Sequence, residues 1–343
     1  MSGMQAPAVW LAAALCVGLM GFAIQRGGTC TVAAVDELLT QRRAQRLLAM
    51  GEASLWVAGG LALAQWLHLA HSMPAAYALG VSTVFGGALL GLGAWVNRAC
   101  VFGAVARLGS GEWAYLLTPL GFFFGCVIEM SLLPRPAPGA AASGGMAGGA
   151  GGMNGVNALW AAVFAAYALW RLWPGLRTLW AGTPLQRAQV LAQRVWAPHA
   201  ATIVIGISFV ATLLLAGRWA YTDVLADLAA MMAARLPQLP ALPLLLLAAL
   251  YAGALWGGAT AGRWRPWRIA PAQALRCLAG GVLMGFGSLL IPGSNDGLIL
   301  VGLPLLRPYA WAAFAAMVAA IALAMRLQRA WQARSAPVAR PAG

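Results

Sequence analysis

The chain of 343 residues has no lysine, only eight acidic residues and, among five cysteines, no Cys-x-x-Cys pair. Each absence excludes something. Charged residues make up 9% of the sequence, where a soluble domain carries about 25%, so a water-soluble globule is excluded. An odd cysteine count without Cys/His spacing argues against a disulfide framework and against a zinc site, so no metal is expected. No Walker-type phosphate loop is present, and nothing calls for a nucleotide or other cofactor. All 22 basic residues are arginines and the net charge is +14. In a chain that is 62% hydrophobic, those arginines mark the loops on one face of a membrane, and no nucleic-acid partner is expected.

What the chain does have is long apolar runs. Runs of about 20 residues, enough to cross a bilayer, recur along the whole length. Nine spans are expected: 7–24, 50–70, 75–96, 112–132, 157–173, 199–216, 240–260, 270–291 and 308–326. The first lacks a basic flank and reads as a span rather than a cleaved leader. The class is an all-α polytopic membrane protein embedded in the lipid bilayer.

With the N-terminus outside and the C-terminus in the cytoplasm, seventeen arginines fall inside and four outside, with Arg276 one turn into a span. Residues 133–156, rich in Pro, Gly and Ala, read as a flexible external linker. Residues 174–198, with Arg177, Arg187 and Arg194 among Leu, Val and Trp, read as an amphipathic helix on the cytoplasmic face.

A shift of 194 residues lays "GGALLGLGAWVNRACVFG" on "GGVLMGFGSLLIPGSNDG". Gly86, Gly87, Gly91, Gly93 and Gly103 then meet Gly280, Gly281, Gly285, Gly287 and Gly297, and Cys100 meets Ser294. Spans one to four repeat as spans six to nine, and the fifth reverses the direction of the second set. The expected organisation is a first half over 1–133, a connecting region over 134–198, and an inverted second half with a basic tail over 199–343. A fainter shift of 70 lays Cys30 on Cys100, and one of 192 lays Thr222 on Cys30.

Four spans therefore end in a short polar turn followed by another apolar stretch. Non-helical backbone at membrane depth persists only where protein buries it or where it lines a cavity, so these breaks are expected to converge on a central pathway. At the start of each half-helix, free N–H groups and the helix dipole favour an anion, by up to about 2 kcal/mol when partly buried. Cys30 and Cys100 follow such turns, with Arg26 and Arg98 just upstream. Cys16, Cys126 and Cys277 lie inside regular spans and read as packing. Asp296 either caps the helix that follows or carries a proton or cation.

Four stretches, "QRGGTC", "NRACVFGAVARLGSGEWAYLLTPLGFFFG", "GRWAYT" and "GGVLMGFGSLLIPGSNDGLILVGLPLL", together resemble the YeeE/YedE family of membrane sulfur transporters. The resemblance implies an hourglass of membrane helices with short broken segments at its waist. It implies import of thiosulfate or a related sulfur-containing anion through the inner membrane, relayed by cysteines at that waist. Cys30 and Cys100 match two of those positions, and Ser294 stands at the third. A hydroxyl still donates to an anion but offers no thiol chemistry. The candidate substrate-binding set is Cys30, Cys100, Ser294, Arg26, Gly28, Asn97, Arg98, Asn295 and Thr222. A soluble sulfur-carrier or rhodanese-type partner is a further implication of the family.

Two other readings compete with transport. A membrane thiol oxidoreductase would need Cys30 and Cys100 to meet in space. A non-transporting scaffold would leave four costly interruptions without a use. The expectation is a transporter and not an enzyme.

Overall fold

Apart from turns and connecting loops, every described residue is helical. The computed structural model describes residues 7–69, 77–133, 154–181, 183, 193–217, 219–233, 240–264, 269–291 and 297–335. The first half runs α1 (Pro7–Gly27), α2 (Thr31–Gln41), α3 (Gln45–Trp66), α4 (Val81–Asn97) and α5 (Val101–Gly109). A 3₁₀ turn (Trp113–Leu116) then leads into α6 (Leu117–Leu132). After α7 (Asn154–Ala181) come α8 (Pro198–Ala216), α9 (Tyr221–Met232), α10 (Ala241–Thr260) and α11 (Pro271–Leu290). A π-helical turn (Leu298–Gly302) and α12 (Pro308–Ser335) complete the second half.

Among the described residues, eight helical segments are long and apolar enough to cross a membrane, and α7 lies between the fourth and the fifth. The protein is an all-α polytopic membrane protein. Its long helices are apolar on both sides: on α1, Leu11, Leu15 and Leu19 face outward while Val17, Met20 and Ile24 are buried. A water-soluble helix would expose a polar face there.

One expected segment divides. Residues 174–181 are not a separate surface helix but continue α7, which passes through Pro174. Most of 182–192 lies outside the described residues, as do 134–153 of the linker expected over 133–156, whose last three residues open α7. At its other end α7 leans on α3, where Phe164 stacks edge-on against Trp56. Glu52 of α3 binds Arg171 at 3.0 Å and Tyr167 at 3.2 Å, and His199 of α8 closes the same cluster.

The helix contacts map onto themselves when the two halves are exchanged. α1 packs on α10 as α8 packs on α3, α6 on α11 as α12 on α4, and α9 on α6 as α2 on α12. The equivalent helices α4 and α11 meet each other directly and run antiparallel. A Cβ on Gly93 would lie 2.7 Å from the Gly280 oxygen and 2.8 Å from the Met284 nitrogen. A Cβ on Gly287 would lie 2.7 Å from the Gly86 oxygen and 2.9 Å from the Leu90 nitrogen. These are the same contacts, shifted by 194. Glycine brings the two backbones together where lipid offers no hydrophobic drive to associate.

Candidate functional site

The two thiol-bearing breaks have the same local anatomy, residue for residue, at a shift of 70. α1 ends at Gly27; Gly28 turns left-handed at φ 57°, Thr29 follows, and Cys30 begins α2 as its N-cap with φ −156°. α4 ends at Asn97; Arg98 turns left-handed at φ 58°, Ala99 follows, and Cys100 caps α5 with φ −72° and ψ 179°. The hydrogen bonds agree as well. Thr29 N–H reaches the Ile24 oxygen at 3.4 Å, as Ala99 N–H reaches Ala94 at 3.1 Å. This six-to-one bond closes a helix that ends in a left-handed residue. Glycine takes that conformation without strain, whereas arginine at the second break does not.

Asn97 holds the second turn in shape. Its Nδ2 donates to the Ala99 oxygen at 2.8 Å, and its Oδ1 accepts from the Thr118 hydroxyl at 3.0 Å. The Tyr115 hydroxyl donates to the Asn97 carbonyl at 3.2 Å. Asn97 is buried, and both ends of its amide are engaged by these bonds.

The two breaks meet. Thr31, the first residue of α2, donates its backbone N–H to the Cys100 sulfur at 3.3 Å. The Cys30 thiol lies beside that of Cys100, with the amides of Val32, Ala33 and Cys100 around it. Cys30 also presses onto the first turn of α5, where a Cβ on Gly103 would stand 2.5 Å from its sulfur. Both thiols are free. Two half-helix N-termini thus converge on a pair of soft, polarizable sulfurs, an arrangement that favours negative charge.

On one side the pair opens into a cavity of about 1460 Å³ with Cys30 on its wall. Arg46, Arg98, Arg107, Arg263, Arg276 and Arg329 line it, against Asp36 as its one lining carboxylate among the described residues. Asp36 pairs with Arg329 at 2.6 Å, Arg46 with Glu37 at 3.2 Å and Arg107 with Glu112 at 3.3 Å. Arg98, Arg263 and Arg276 have no ion pair among the described residues, which leaves a vestibule of positive potential. Such a vestibule concentrates small anions at its floor.

Not every expected residue joins this site. Cys30, Gly28 and Arg98 line the vestibule, and Cys100 lies behind Cys30, 1% exposed. Arg26 turns elsewhere: its guanidinium donates to the Gln193 oxygen at 2.7 Å and the Thr260 hydroxyl at 2.8 Å, and it lies over the Phe22 ring. Buried at 2% exposure, Arg26 ties the end of α1 to the end of α10 and to Gln193, and does not line the cavity. Thr222 is fully buried in the first turn of α9, and the N-cap matching Cys30 there is Ala220. Ser294 and Asn295, with Asp296, lie outside the described residues. Sequence reasoning did not single out Gln25, Thr31, Arg46, Arg107, Arg263, Arg276 or Arg329 as site residues. The inside-loop arginine count was a signal for Arg46, Arg107, Arg263 and Arg329 alone.

A family model described as sulphur transport matches residues 26–323. The protein belongs to the sulphur transport family, YeeE/YedE. No curated protein matches the sequence. In this sulphur transport protein the match takes in both thiol-bearing breaks, the vestibule arginines up to Arg276 and the described part of the fourth break. Among the described residues, no group of three or more His, Cys, Asp or Glu side chains stands close enough to hold a metal ion.

Proposed function

We propose that the protein carries thiosulfate, or a related sulfur oxyanion, across the inner membrane along a path formed by Cys30, Cys100 and Ser294. One observation carries this reading: the starts of α2 and α5 bring two free thiols together at the floor of an arginine-lined vestibule. The vestibule faces the cytoplasm, because five of its six arginines, Arg46, Arg98, Arg107, Arg263 and Arg329, come from stretches that the positive-inside rule assigns there. The N-terminus is then outside and the C-terminus inside.

The energetics follow from the site. An anion entering the bilayer loses its hydration, which is costly without compensating charge or donors. At the thiol pair, half-helix dipoles and amide N–H groups supply that compensation, and the sulfurs offer soft contacts to the terminal sulfur of the anion. No bond to the substrate is needed, and the thiols return unchanged. Movement is passive or driven by an ion gradient. A soluble sulfur-carrier or rhodanese-type protein would collect the sulfur at the vestibule mouth.

The adjacency of Cys30 and Cys100 also fits a membrane thiol oxidoreductase. That reading requires the pair to close into a disulfide during turnover, and it is excluded if the pair stays reduced while uptake proceeds.

The test is uptake of labelled thiosulfate in cells lacking other sulfate and thiosulfate carriers, at matched membrane abundance. Cys30→Ala and Cys100→Ala lose uptake, Cys126→Ala keeps it, and Ser294→Cys keeps or raises it. A wild type that expresses well and takes up none removes thiosulfate as substrate.

A further inference from the structure

The vestibule wall includes Cys30, Val32 and Ala33 from the first turn of α2 but not Thr31 between them. Thr31 is turned away from that wall, and its backbone N–H contacts the Cys100 sulfur at 3.3 Å. Its side chain is 0% exposed, and its hydroxyl oxygen has no hydrogen-bond partner. Three threonines inside other helices return their hydroxyls to the backbone one turn back: Thr202 bonds to Pro198, Thr212 to Ser208 and Thr260 to Trp256. Thr31, at the first position of its helix, has no preceding helical turn to bond to.

Leaving a buried hydroxyl without a partner is unfavourable, and native proteins keep few such groups. This one belongs to the residue that follows Cys30 and holds the Cys100 sulfur through its N–H, so its free donor stands within one residue of the thiol pair. Resting on the transport reading above, we propose that Thr31 is a substrate-binding residue. It donates its hydroxyl hydrogen to an oxygen of the sulfur anion while the thiols of Cys30 and Cys100 meet the sulfur end. The site therefore reads both ends of its cargo. This assigns the substrate class as oxyanions of sulfur, with hard oxygens and a soft sulfur terminus, and sets sulfide, which has no oxygen, apart.

The experiment uses the full chain, purified and reconstituted, with thiosulfate and sulfide as probes. Thr31→Val replaces the hydroxyl with a methyl of similar shape, and Thr31→Ser keeps it. Uptake kinetics and thermal melting with and without thiosulfate are measured for each. Thr31→Val is expected to raise KM for thiosulfate about tenfold or more, the loss of one hydrogen bond to a charged ligand, and to leave sulfide unaffected. It also loses the rise in Tm that thiosulfate gives the wild type. Without ligand, Thr31→Val melts no lower than the wild type, because no native hydrogen bond is removed. Thr31→Ser keeps both responses. A Thr31→Val protein with wild-type KM and ligand response, in a background where the wild type responds, overturns the assignment of Thr31 alone. A ligand-free Thr31→Val that melts well below the wild type gives the hydroxyl a structural role and overturns it too. A wild type that neither moves nor is stabilised by thiosulfate overturns the transport reading, and this assignment with it.

Discussion

The sulfur of Cys30 occupies the space that a side chain on Gly103 would need, 2.5 Å from where its Cβ would stand. That contact fastens the start of α2 to the first turn of α5, and it makes Gly103 a condition of the thiol pair. Gly103→Ala forces the sulfur or the α5 backbone aside, at a cost of about 1–3 kcal/mol. The expected result is lost uptake together with a lowered melting temperature. Adding Cys30→Ala to Gly103→Ala recovers part of the stability and none of the uptake. Melting curves and uptake at matched abundance check both statements.

Arg98 sits left-handed at φ 58°, a conformation that costs a residue with a side chain roughly 1–2 kcal/mol. Gly28 fills the equivalent place in the first break at φ 57° without that cost. Arg98→Gly is therefore expected to melt at or above the wild-type temperature while its KM rises, because the vestibule loses a charge. Lower stability in Arg98→Gly would show that the guanidinium is a structural prop.

Arg263 and Arg276 line the vestibule, whereas Arg26 bonds away from it to Gln193 and Thr260. Arg263→Gln and Arg276→Gln are each expected to raise KM roughly two- to fivefold, with Vmax kept. Those increases shrink as salt shortens the screening length below its physiological value of about 8 Å. Arg26→Gln separates from them. It loses about 1.5–3 kcal/mol of stability from its charged hydrogen bonds, and the protein that remains folded keeps its KM. Uptake kinetics at two ionic strengths, set beside thermal melts, distinguish the two kinds of arginine.

Gly93 and Gly287 make the same contacts on opposite sides of the α4–α11 crossing. Gly93→Ala and Gly287→Ala each push a methyl into backbone, so each is expected to destabilise by about 1–3 kcal/mol. The two losses should be close to equal. A large loss in one and none in the other would break the correspondence between the halves at this crossing.

Much of this fold was legible in the sequence because its signals are local. Hydropathy located the long helices, and the polar turns after spans one and three marked the starts of α2 and α5 to within a residue or two. The glycines in register at a shift of 194 include those at which α4 and α11 meet, a contact that the alignment alone did not indicate. The site was less legible. Arg26 and Arg98 both stand just upstream of their cysteines, but which way each points depends on parts of the chain more than a hundred residues away. Asn97 reads as a ligand residue in sequence, yet in the fold the turn and α6 use its polar groups. Thr222 was placed two residues past the cap, Ala220, because α8 has 19 residues where α1 has 21. Thr31 resembles any threonine opening a helix; only burial without a partner distinguishes it.

The central claim is that the sulfur anion passes the thiol pair, and Cys100 tests it most directly, being 1% exposed and held by the amide of Thr31. The measurement is the initial rate of labelled thiosulfate entry into proteoliposomes holding wild type, Cys100→Ala or Cys126→Ala at equal protein density. The account predicts entry with wild type and with Cys126→Ala, and a rate no higher than empty vesicles with Cys100→Ala. Entry through Cys100→Ala at the wild-type rate would contradict it.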